Sequence, residues 1–89
     1  MTLDKNTIQA AIKAKIVDIA RMLGSDASDL AADELIPATG YIDSAGLLDL
    51  IAWYEAEFDI QVAAEEFTID NLGTLESMAG FVLAKKGLA

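Results

Sequence analysis

The sequence contains no cysteine and no histidine. That excludes disulfides, thiol nucleophiles, imidazole acid–base chemistry and the usual zinc sites. Any thiol chemistry must come from an attached group. Proline occurs once, at Pro37, and aromatic residues make up only 7% of the chain. No apolar run approaches the roughly 20 residues that span a bilayer. The opening residues, Met1-Thr2-Leu3-Asp4-Lys5, lack the charged and apolar regions of a secretory leader. These absences lead us to expect a soluble, cytoplasmic protein without a membrane partner. What is present suffices for a core: 89 residues, 54% of them hydrophobic, point to one small domain over residues 1–89 and argue against disorder.

The second scarcity is of positive charge. Six bases face fifteen acids, for a net charge of -9. Every base lies towards an end, at Lys5, Lys13, Lys15, Arg21, Lys85 and Lys86, and none falls between Met22 and Ala84. All the acids except Asp4 and Asp18 lie in that stretch. Such a surface repels nucleic acid and anionic lipid and steers a basic protein towards it. Asp26, Asp29, Asp33 and Glu34 form an acidic group, but Leu30 and Ala31 stand at a ligand position and the glycine position of a calcium loop. These acids are read as solvated, and no metal site is expected.

Ile8, Ile12, Ile16, Ile19 and Leu23 repeat at helical spacing. This predicts a first helix over about 5–23, with Asp4, Asn6 and Thr7 as candidate caps and Gly24 as its stop. Residues 24–43 lack a clean period and predict a long ordered loop, with one helical turn around Ala27–Ala32 and Leu30, Leu35, Ile36 and Ile42 as anchors to the core. Asp43 then opens a second long helix over about 44–58, whose inward positions are Leu47, Leu50, Ile51, Tyr54 and Phe58. A connection follows, with Ile60, Val62 and Phe67 as anchors. Thr68 caps a single turn through Leu72, and Thr74 caps a last helix that carries Leu75, Met78, Ala79, Val82 and Leu83 inward and ends at Gly87. The predicted fold is all-α, with three main helices, one short one and a long first loop.

The chemistry concentrates in Gly40-Tyr41-Ile42-Asp43-Ser44-Ala45-Gly46-Leu47-Leu48-Asp49-Leu50-Ile51. A hydroxyl stands in the first turn of a helix, after a capping aspartate and at the end of a long loop. The backbone N–H groups and positive dipole end there favour an attached phosphate. With no histidine anywhere in the chain, Ser44 has no imidazole base. It is a poor catalytic nucleophile and a good acceptor for another enzyme's chemistry. Asp43-Ser44-Ala45, followed by Glu55-Ala56-Glu57-Phe58-Asp59-Ile60, resembles the acyl carrier protein family. That family has Asp-Ser-Leu at the start of its second helix and an acidic helix end of the type Glu-Glu-Phe-Asp-Ile. The turn from Phe67 to Leu72 and the helix start at Thr74-Leu75-Glu76-Ser77-Met78 resemble the family's second half. The resemblance implies an acyl-carrier-like bundle and a non-enzymatic role. It also implies 4′-phosphopantetheine on Ser44, taken from coenzyme A by a phosphopantetheinyl transferase. An acyl- or aminoacyl-activating ligase and downstream transferases, in fatty acid biosynthesis or a related pathway, would then use the arm's thiol as a thioester. Asp43, Asp49, Glu55 and Glu57 would meet basic residues of these partners. Ala45 departs from the family's usual leucine, and Trp53 from a small residue.

On a helical wheel centred on Ile51, advancing about 100° per residue, Ala45, Asp49, Ala52, Trp53 and Ala56 fall on the outward face. Small side chains permit close approach and Trp is enriched at interface hot spots, so this face is predicted to dock a partner with Trp53 as its anchor. The competing expectation is that Trp53 folds back over Ile36 or Ile42 in the long loop. Tyr54 puts a polar ring where a buried acyl chain would enter, which favours a short or polar cargo such as an amino acid. The alternative function class is an unmodified acidic helical adaptor for a basic protein. The expected state is a monomer.

Overall fold

A computed structural model describes residues 4–87. The chain forms helix α1 (Lys5–Met22), the single turn α2 (Ile36–Thr39), helix α3 (Ser44–Phe58), a 3-10 turn (Ala64–Glu66), the single turn α4 (Ile69–Leu72) and helix α5 (Leu75–Lys85). No strand occurs among the described residues. The all-α fold of three main helices with a long first loop is thus as expected, with α4 as the anticipated short helix.

Each long helix begins at a side-chain cap. Asp4 accepts the Thr7 N–H at 2.7 Å, Asp43 that of Gly46 at 2.8 Å and Thr74 that of Ser77 at 3.0 Å, each filling one of the free donors of a first turn. Among the three candidates for α1, Asp4 is therefore the cap. Gly24 and Gly87, at φ 83° and 71°, turn the chain away after α1 and α5, a conformation glycine adopts without strain. Asp59 closes α3 at φ 52°, tolerated because aspartate visits this region more readily than most residues. The core is one cluster in which Ile8, Ile12, Ile16 and Ile19 of α1 meet Leu50, Ile51, Tyr54 and Phe58 of α3 and Leu75, Met78, Ala79 and Val82 of α5. Helix α1 packs against both α3 and α5.

Several expected details differ. The helical turn in the first loop lies at 36–39, where Pro37 suits a first turn because that turn has no use for its missing N–H. Over residues 27–32 the chain makes only isolated turns. Asp26 accepts from the Ser28 N–H and Glu34 from the Ala31 N–H, so two of the acids shape this loop locally. Leu30, Ile36 and Ile42 anchor the loop as expected, whereas Leu35 is exposed. The Ile36 N–H donates to the Gly73 carbonyl at 2.7 Å and the Glu76 N–H to that of Ala32 at 3.1 Å. The loop is therefore tied to α4 and α5 through backbone groups, which no pattern of side chains announces. Leu47, Val62 and Leu83 are half-buried, and Phe67 and Leu23 are exposed. Leu23, the C-cap of α1, keeps the helical bond from its N–H to the Ile19 carbonyl at 3.2 Å, yet its side chain lies beyond the end of the core.

Candidate functional site

Ser44 is the first residue of α3 and is exposed. Asp43 precedes it in an extended conformation and holds the turn twice. Its Oδ1 accepts the Gly46 N–H, and its backbone oxygen accepts the Leu47 N–H, each at 2.8 Å. The N–H groups of Ser44 and Ala45 have no acceptor further up the helix. Together with the dipole of a fifteen-residue helix, they make this end electrostatically suited to a phosphodiester. The Ser44 side chain borders a depression of about 270 Å³ that Ile42, Asp43 and Leu47 complete.

Behind that depression, sharing Leu47 as a wall, lies an apolar pocket of about 130 Å³ between α3 and α4, lined by Ile51, Phe67, Ile69 and Leu72 among others. A cavity of about 150 Å³ accommodates benzene, so this pocket is sized for a handful of heavy atoms. No charged side chain lines it. Tyr54, one turn beyond Ile51, is wholly buried and donates its hydroxyl to the Met78 carbonyl at 2.7 Å. Burial raises its pKa, so the ring stays a neutral donor. Its ring also meets Phe58 edge-on, with centroids 5.7 Å apart. Tyr54 thus fills the interior beside α3, as expected for a bulky ring at that position.

The structure brings Asp43, Ala45, Asp49, Ala52, Ala56 and Glu57 to the exposed surface of α3. It does not leave the other two expected docking residues free. Glu55 is half-buried, and its Oε2 accepts the Val62 N–H at 2.9 Å, so it fastens the connection after α3. Trp53 is half-buried against the core, with its ring edge-on to Phe58 at 5.8 Å. It therefore packs along its own helix, and neither stands out as a free anchor nor covers the long loop by an observed ring contact. The wheel did not mark Leu48, which is 66% exposed. Its periodicity matches the core set, and only the lack of a helix packed over it leaves it in water.

Residues 15–82 match the family model for the phosphopantetheine attachment site. The chain belongs to this family. Carrier proteins of the phosphopantetheine-attachment family hold 4′-phosphopantetheine covalently and present acyl or aminoacyl groups as thioesters, and these are the cofactor and role of this chain. The family is generally non-catalytic, and its members work with phosphopantetheinyl transferases, ligases and acyl transferases. The chain is 36% identical over 64 residues to a D-alanyl carrier protein of Streptococcus thermophilus and 39% identical over 64 residues to one of Streptococcus sanguinis. Both alignments cover 71% of this chain and 80% of the relative. No solved structure is a significant match. No described helix is long and apolar enough to cross a membrane.

Proposed function

We propose that Ser44 carries the arm, and that this chain is a single, monomeric, non-enzymatic carrier domain of the cytoplasm whose cargo is a small amino acid. The observation that carries the assignment is the exposed Ser44 hydroxyl at the capped head of α3, inside the matched segment. With a transferase supplying the base, the Ser44 oxygen bonds to the pantetheine-side phosphorus of coenzyme A. The pyrophosphate bond breaks, and the nucleotide half leaves. The free N–H groups of the first turn and the helix dipole favour the resulting phosphodiester.

The cargo assignment rests on space and charge. Tyr54 occupies the interior, and the apolar pocket beside Ser44 has room for only a few atoms. An ammonium group finds no counter-charge in that pocket and stays in water, where Asp43 edges the depression beside Ser44. The relatives named as D-alanyl carriers make a D-alanyl thioester, loaded by an adenylating ligase, the first cargo to try. Ala45, Ala52, Ala56, Asp43, Asp49 and Glu57 form the surface that partners approach, with Trp53 and Glu55 shaping its far end.

Intact mass after incubation with coenzyme A and a broad phosphopantetheinyl transferase should rise by one phosphopantetheine in the wild type and stay unchanged in Ser44→Ala, which should fold normally. Modification of the Ala variant overturns the site. Loading of the holo-protein from a panel of donors should favour alanine over acyl chains of eight or more carbons, about the reach at which the pocket's handful of heavy atoms is exceeded. A preference for the long chains overturns the cargo.

A further inference from the structure

The end of α1 is locked to the turn that carries Ser44. A Cβ built on Gly46 would meet Ile19 Cγ2 at 2.9 Å and Ile42 Cβ at 3.3 Å, so the two helices approach as closely as they do only because position 46 has no side chain. Immediately beyond this contact the chain exposes two large apolar residues in succession, Met22 at 79% and Leu23 at 48%. They border a groove of about 210 Å³ whose other side is α3, with Ala45 on its wall and the carboxylates of Asp43 and Asp49 at its edge. A last helical turn ordinarily carries bases or polar groups towards its carbonyl end. Arg21, the base next to the patch, is paired with Asp18 at 3.8 Å. Single exposed apolar residues are common on protein surfaces. This pair is distinguished by facing, across one groove, the residues on either side of Ser44 and by an edge formed by Asp43 and Asp49, neither of which is in a salt bridge among the described residues.

We propose that this groove docks the enzyme that transfers the arm to Ser44, which inserts an apolar side chain flanked by lysine or arginine. The groove shares Asp43 with the wall of the serine's own depression, so an enzyme working on the Ser44 oxygen covers both. Met22 and Leu23 supply the apolar contact, Ala45 admits the approaching backbone, and Asp49 pairs with the flanking base. The inference rests on Ser44 being the attachment residue and extends the docking surface from α3 across to α1.

The test is the double variant Met22→Gln/Leu23→Gln, with Leu35→Gln, an apolar residue of the long loop about as exposed as Leu23, as control. The double variant should melt at the wild-type temperature, because neither side chain is in the core. Its kcat/KM for arm transfer from coenzyme A should fall at least tenfold, with the loss in KM, while Leu35→Gln behaves as wild type. Titrating an inactive transferase into the apo-protein should shift the amide resonances of Met22, Leu23 and Ala45 in the wild type. A wild type that accepts the arm alongside a double variant modified at full rate overturns the groove and leaves Ser44 standing. Resonances that stay put on titration do the same. An apo-protein that sediments as a dimer and is made monomeric by the double variant assigns the groove to a second copy and overturns the proposal. A wild type that accepts no arm from any transferase overturns both readings together.

Discussion

At Asp43 two functions meet in one side chain. Its carboxylate closes the first turn of α3 on the Gly46 N–H, and the same group edges the depression beside Ser44. Removing an N-cap costs about 1 kcal/mol, a measurable fraction of the stability of a small domain. Asp43→Ala should therefore lower the melting temperature, read by circular dichroism. Tyr54 is the other residue whose identity matters beyond its size. Its hydroxyl donates to the Met78 carbonyl inside the core, and a net contribution of about 1 kcal/mol is ordinary for such a bond. Tyr54→Phe should lose about that much in a denaturant titration with an unchanged slope. Tyr54→Ala should lose roughly 3 kcal/mol or more, because it leaves a cavity as well. Equal losses in the two variants would mean that the ring does not fill the interior.

Between α3 and α5 the chain has little regular structure and is held by side chains reaching back to it. Glu55 accepts from Val62, the Asn71 amide donates to the Glu66 carbonyl, and Lys85 Nζ lies 2.7 Å from Glu66 Oε1. The Lys85 hydrogen bond, with help from the Ala63 N–H, holds the Glu66 carboxyl below its usual 4.5. A carboxylate with a depressed folded-state pKa adds stability above its unfolded value, and that stability is lost as pH falls through the lowered folded value. Glu66→Gln should accordingly melt below wild type at neutral pH. The gap should close as the solution is acidified from about 5 through the lowered pKa. The pair is partly exposed, so the gap is expected to be small and to shrink in salt. A difference independent of pH would show that packing, not charge, distinguishes the two side chains. The 3-10 turn at 64–66 and the placing of α2 were not legible beforehand. Each consists of three or four residues, too few for a period, and α2 is positioned by the bond from the Ile36 N–H to the Gly73 carbonyl, 37 positions away in the chain.

Over the whole molecule, charge is sorted by packing. The helices that hold every base except Lys86, which caps the end of α5, are α1 and α5; they lie against one another, and Lys5 and Lys85 are spent on Glu76 and Glu66. The surface of α3, with Asp43, Asp49 and Glu57 exposed, has no base of its own. Encounter with a basic partner should depend on this uncompensated field, which is screened beyond about 10 Å at 0.1 M salt. The association rate with the transferase should fall between low and physiological ionic strength, as stopped-flow measurement would show, with dissociation changing less. A flat association rate would leave apolar contact as the dominant force.

Although only the structure chose Asp4 over Asn6 and Thr7 as the cap of α1, the order and approximate extent of the long helices, the caps at Asp43 and Thr74, the isoleucine stripe of α1 and the placing of Ser44 at the head of α3 followed from the sequence alone. They are local: each depends on residues three or four positions apart along one helix, and the chain states those spacings directly. Which apolar residues remain outside was decided only by tertiary structure. Leu23, Leu48 and Phe67 share the composition, and in part the spacing, of buried residues, yet stay exposed because no neighbour covers them. Trp53 reads as outward on a wheel and is drawn half inside by the Phe58 ring. The groove beside Ser44 exists only because Ile19 closes on a glycine 27 residues away. A surface of this kind is made by the distance between two helices, and no stretch of the chain records that distance.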